Sequence, residues 1–143
     1  MILLDSNLLL YAFDAGAKRH AEARAWLEGA LNGAEPVGLA WVVLLAFIRI
    51  GTNPTALSQA LSLEEATGIV SDLLERPTAT LVHPGEQHWT LFRRLLMDAQ
   101  ARGDLVTDAH LAALAMEHGA VVCTTDRDFA RFPGLRWQNP LEP

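Results

Sequence analysis

Two short apolar runs, far apart in the chain, hand over to aspartates. Met1-Ile2-Leu3-Leu4 leads directly to Asp5, and Ala120-Val121-Val122-Cys123 leads through Thr124 and Thr125 to Asp126. A run that is apolar at every position, rather than at every second one, is the pattern of a strand covered on both faces. Such strands belong to parallel sheets layered between helices. An aspartate just past a buried strand contributes little to packing. In open parallel sheets, the space beyond the carboxyl ends of the strands is where ligands sit.

The rest of the chain alternates strand and helix patterns, as an α/β domain with a mainly parallel sheet requires. Residues 1 to 5 read as a strand and Asn7 to Phe13 as a short helix, with Ser6 or Asn7 able to cap it. A helix is expected over Lys18 to Leu31, stopped by Gly33, then a strand over Pro36 to Ala40 and an apolar helix to about Ile50. Gly51-Thr52-Asn53-Pro54 is a turn. Ser62 and Glu65 form a capping box for a helix over Leu63 to Leu74. Thr80 to His83 reads as a third strand and Glu86 to Ala101 as an amphipathic helix stopped by Gly103. Leu105 to His118 is helical, with Asp104 at its start and Gly119 at its end. Ala120 to Cys123 is the fourth strand, Arg127 to Phe132 a short helix, and Leu135 to Trp137 an edge strand. With no repeat, linker or low-complexity tract, residues 1–143 read as one domain.

Composition narrows the function. No apolar run approaches the roughly 20 residues that span a bilayer, and the N-terminus lacks a signal-peptide pattern, so a cytoplasmic protein is expected. The single cysteine, Cys123, lies inside an apolar strand and reads as a buried hydrophobe. A net charge of −6 argues mildly against a basic nucleic-acid binder, although a local basic patch can still steer a polyanion. Ten of the eleven basic residues are arginine, with Lys18 the exception.

Asp108, in the first turn of the late helix, can join Asp5 and Asp126 if that helix begins above the same sheet edge. Asp104 lies four residues earlier, on the same helix face. Like charges so placed repel, and a cation would offset the repulsion. All-oxygen ligands suit Mg²⁺ or Mn²⁺, and no His or Cys cluster has zinc spacing. The alternative is structural: Asp5, Asp104 and Asp126 could each cap a helix. No histidine is assigned a catalytic part, and His110 points away from Asp108 on a helix.

The chain resembles the PIN-domain family, and within it the VapC-type toxins of toxin–antitoxin pairs. The resemblance is carried by Leu3-Leu4-Asp5-Ser6-Asn7, by Trp41 to Arg49 leading into Thr52-Asn53-Pro54, by Leu105-Val106-Thr107-Asp108-Ala109-His110, by Thr124-Thr125-Asp126-Arg127-Asp128-Phe129 and by Phe132-Pro133-Gly134-Leu135. It implies a three-layer α/β/α sandwich around four or five strands. It implies an Mg²⁺- or Mn²⁺-dependent endoribonuclease acting through Asp5, Asp108 and Asp126, with Asn7 and Thr124 orienting the carboxylates. It also implies an RNA substrate, a VapB-type antitoxin and a homodimer. The chain departs from the family at one acid: the second-motif glutamate, expected three residues before Arg49, is Ala46. Asp104 is the candidate to fill that gap as a metal ligand. The same departure motivates an alternative, a nuclease-impaired PIN domain that binds RNA or protein. Asp128 reads as a structural or capping residue. Arg127 and Arg131, and the stretch Lys18, Arg19, His20 and Arg24, read as a possible RNA rim or as solvated surface.

Overall fold

The structure is a computed structural model and describes residues 1–142. Its centre is β1 (Ile2–Leu4), every residue of which is buried. On one side lie β2 (Val37–Leu39) and then β3 (Ala79–Leu81); on the other lie β4 (Val121–Cys123) and then β5 (Trp137–Gln138). The five strands run in the order β3-β2-β1-β4-β5 and every pairing is parallel. The expected four-to-five-stranded, mainly parallel sheet is thus five-stranded and wholly parallel.

Between β1 and β2 come α1 (Ser6–Phe13) and α2 (His20–Leu31); between β2 and β3 come α3 (Trp41–Gly51) and α4 (Leu63–Glu75). Between β3 and β4 come α5 (His88–Ala99) and α6 (Asp104–His118). The chain moves outward from β1 to β3, then returns across the sheet to β4. Crossovers between parallel strands are right-handed, so this reversal puts α1–α4 on one face and α5 and α6 on the other. The packing agrees: α1 contacts α2 and α3, α3 contacts α4, and α5 pairs with α6, which rests on β4. The three-layer sandwich has its core where Leu3, Leu4, Leu39, Leu44, Phe47, Leu111 and Leu114 meet.

Several element ends differ from the sequence reading. Of the candidate caps of α1, Asp5 rather than Ser6 or Asn7 fills the position, accepting from Ser6 N at 2.8 Å, and the helix begins at Ser6 rather than Asn7. The second helix begins at His20 rather than Lys18, because the preceding segment turns through hydrogen bonds from Ala17 N to Asp14 O and from His20 N to Ala17 O. The third strand begins a residue early and ends at Leu81, where its partner β2 runs out. The capping box of Ser62 and Glu65 is present as expected. The fifth helix ends at Ala99, where Gln100 adopts a left-handed conformation with φ 48°. Gly103 does not stop that helix; it stands at the N-cap of α6 with φ 57°, a conformation open to glycine. Asp104 therefore occupies the first turn and is not the cap. Arg127–Arg131 is a 3-10 helix capped by Asp126.

Candidate active site

The strand order creates a switch point between β1 and β4. From β1 the chain departs to one side, and it arrives at β4 from the other, so the loops after these two strands diverge and leave a crevice at their carboxyl ends. Leu4 pairs with Cys123 in register, and Asp5 N donates to Cys123 O at 3.0 Å. Asp5 and Thr124 therefore leave the sheet side by side.

Thr124 ties the two loops together. Its side chain is wholly buried, the only buried polar one among the described residues. Its hydroxyl donates to Asp5 Oδ2 at 2.8 Å. The same oxygen accepts from Asp126 N at 3.0 Å and from Asn7 Nδ2 at 3.1 Å. Asn7 Nδ2 also reaches Asp5 Oδ2 at 3.3 Å, and Asn7 Oδ1 accepts from Thr125 N at 3.3 Å. One threonine thus spends both its donor and its acceptor capacity on fixing Asp5 and the backbone of Asp126. Asp126 in turn accepts from Asp128 N at 2.9 Å. The capping alternative holds for Asp5 and Asp126, and each keeps a carboxylate oxygen beyond its capping bond.

The wall opposite comes from α3 and α6. A cleft of about 310 Å³ is lined by Asp5 and Ser6, by Val42, Val43, Ala46, Arg49 and Ile50 of α3, and by Asp104, Thr107, Asp108 and Leu111 of α6. The late helix does begin above the sheet edge that carries Asp5. Ala46 opens onto this cleft, at the position where a glutamate was expected.

Electrostatics show how closely the acids converge. The Asp108 carboxyl is pushed up to about 7, first by burial and then by the charges of Asp5, Asp126, Asp128 and Asp104. Asp5 is raised as well, chiefly by burial, against the lowering effect of the Thr124 and Ser6 hydrogen bonds and with Asp126 adding repulsion. Five carboxylates thus share one field, and Asp128, read from sequence as structural, is one of them. Among the described residues no three His, Cys, Asp or Glu side chains are close enough to enclose an ion directly. Mg²⁺ usually keeps several waters and takes only one or two carboxylates. The donor set, oxygen throughout and strained by its own repulsion, fits a hard divalent cation.

Apart from Lys18, the residues read as an RNA rim are committed elsewhere. Arg19 pairs with Glu22 at 2.9 Å and Arg24 with Glu28 at 3.1 Å, and Arg24 also lies over the Phe13 ring. His20 bonds to Tyr11 O, Arg127 pairs with Glu142 at 3.5 Å, and Arg131 reaches Ala99 O. His110 meets His88 of α5 with nitrogens 2.9 Å apart, a contact between helices that no sequence spacing signalled. Burial pushes the Cys123 thiol up to about 11, which removes it as a nucleophile. Among the described residues no helix is long and apolar enough to cross a membrane.

The profile of the PIN domain matches residues 2–135. Ribonuclease VapC37 of Mycobacterium tuberculosis is 44% identical over 140 residues, covering 98% of this chain and 97% of the relative. Ribonuclease VapC43 of the same species is 44% identical over 142 residues, covering 99% and 97%. Among solved structures, VapBC-1 of nontypeable Haemophilus influenzae superposes with a TM-score of 0.70 at 20% identity, covering 99% of this chain and all (100%) of that one. Mycobacterium tuberculosis VapC20, described as a sarcin-ricin loop cleaving toxin, superposes with a TM-score of 0.69 at 17% identity, covering 95% and 99%. By profile, by full-length similarity and by fold, the chain belongs to the PIN-domain family, in its VapC ribonuclease branch.

Proposed function

We propose that residues 1–143 form one PIN domain acting as the toxin of a toxin–antitoxin pair, an endoribonuclease that depends on Mg²⁺ or Mn²⁺. The observation that carries this reading is the convergence of Asp5, Asp108 and Asp126 at the β1/β4 switch point, where burial and the neighbouring acids push the Asp108 carboxyl up to about 7. Asp5 and Asp126 would hold the cation, Asp108 directly or through a bound water, and Asp104, one turn before Asp108, would partly replace the acid absent at Ala46. When bound, such a cation would supply countercharge to the scissile phosphate and make water a better nucleophile. Thr124 and Asn7 keep Asp5 aimed by donating to it, and the Thr124 bond offsets part of the rise that burial causes. The cleft beside Asp5 and Asp108 admits the RNA backbone.

A VapB-type antitoxin is the natural partner, since several solved relatives are VapBC complexes. An acidic cleft of this kind would receive an arginine from such a partner. We take the chain to form a homodimer, as the family resemblance implies. The nuclease-impaired alternative is disfavoured by full-length relatives that are named ribonucleases at 44% identity.

The test is cleavage of total RNA by the purified chain with Mg²⁺, with Mn²⁺ and with chelator, beside Asp5→Asn. Cleavage is expected only with metal, and Asp5→Asn is expected to lose roughly 100-fold or more while keeping its fold. Cleavage that persists in chelator, or a folded Asp5→Asn of full activity, would sink the reading.

A further inference from the structure

The acid cleft contains one cation of its own. Arg49 lines it from α3, in the same cleft as Asp5, Asp104 and Asp108. Among the described residues Arg49 makes no ion pair, as is also true of Lys18, Arg76, Arg93, Arg94, Arg102, Arg131 and Arg136, but of all the basic residues only Arg49 lines the acid cleft. A carboxylate at position 46, three residues before Arg49 on the same helix, would be its nearest partner. Arg49 is exposed, and alanine at position 46 adds no acid to the cleft that both residues line. The acids of the cleft repel a polyanion, so RNA approaching them needs a protein cation at the point of entry. A guanidinium fork matches two phosphate oxygens at once.

We propose that Arg49 binds a backbone phosphate of the RNA beside the scissile bond, in the space that Ala46 leaves free. This rests on the ribonuclease reading and adds the residue that admits the substrate. Arg49 also stands in the last turn of α3, where any cation favours the helix C-terminus. A purely helix-stabilising role would move the melting temperature and leave RNA affinity alone.

The experiment measures binding of a labelled single-stranded RNA by fluorescence anisotropy over a series of salt concentrations. It uses the cleavage-deficient Asp5→Asn protein with and without Arg49→Ala or Arg49→Lys. KM and kcat are measured in parallel on the same Arg49 variants of the otherwise unchanged chain. Arg49→Ala is expected to weaken binding roughly tenfold and to lower the slope of log affinity against log salt by about 0.7, the loss of one phosphate contact. KM should rise more than kcat falls. Arg49→Lys, which keeps a point charge without the fork, should recover the salt slope and only part of the affinity. Unchanged affinity and slope in a folded Arg49→Ala would overturn the proposal, as would a KM equal to the parent's. If the parent chain cleaves no RNA under any metal condition, it is the ribonuclease reading that fails; a cleaving parent with an indifferent Arg49 fails this inference alone.

Discussion

Asp108 shows at a single residue how the site trades stability for chemistry. An aspartate in an unfolded chain titrates near 3.9, and in the fold this one is held at about 7 by burial and four neighbouring charges. Between those values the folded form binds the extra proton. Its contribution to stability is therefore greatest at low pH and falls as pH rises from about 4 to about 7. The raised Asp5 carboxyl acts with the same sign. We predict that Asp108→Asn, assayed in chelator, melts above the parent at pH 8, by on the order of 5 °C, with a much smaller advantage near pH 4. Melting curves at the two pH values decide this; an equal difference at both would mean the carboxyl is not strained. The same residue should bind a divalent cation poorly below pH 7, because the metal must displace its proton.

At the scale of the element, the first turn of α6 and the middle of α3 together form the wall of the cleft. Gly103 adopts a positive φ that starts α6 sharply and sets Asp104 and Asp108 one above the other over the sheet edge. The helix N-terminus eases their mutual repulsion only in part. With Ala46 contributing no acid from α3, Asp104 is the only carboxylate besides Asp108 on that side of the cleft. Asp104→Ala is expected to weaken Mn²⁺ binding about tenfold by titration calorimetry. Affinity equal to the parent's would remove Asp104 from the site. The reverse change is informative too. Ala46→Glu places a carboxylate in a cleft with room for it and should tighten Mn²⁺ binding by a similar factor, read by the same calorimetry.

At the scale of the molecule, the site depends on strands being neighbours that are distant in sequence. β1 and β4 are joined by their backbone pairing and by Thr124, whose hydroxyl links Asp5 to the Asp126 backbone. A cation bound across this seam, as proposed, would stabilise the whole fold by mass action, because the unfolded chain has no such site. Saturating Mg²⁺ or Mn²⁺, at about 100 times its dissociation constant, should raise the parent's melting temperature by roughly 5–10 °C and that of Asp5→Asn by far less. Thermal shift with each metal checks it, and an equal rise in both proteins would place the cation elsewhere.

Local chemistry alone settled much of this protein. Uniformly apolar runs marked β1 and β4 as buried strands, Ser62 and Glu65 announced α4, Gly119 ended α6, and aspartates just past the strands pointed to the site. These signals are legible because each depends on residues adjacent in the chain. Other features required the fold. The strand order set Asp5 beside Thr124 and defined the crevice. The left-handed Gln100 and the role of Gly103 as a helix start were decided by how α5 and α6 pack. Asp128 joined the acid field, and His88 met His110, only through tertiary placement. The arginines read as an RNA rim, Arg19, Arg24, Arg127 and Arg131, found partners, while Arg49 lines the acid cleft. Pairings between distant residues are fixed by packing and by electrostatic competition across the whole molecule, and no spacing along the chain encodes them.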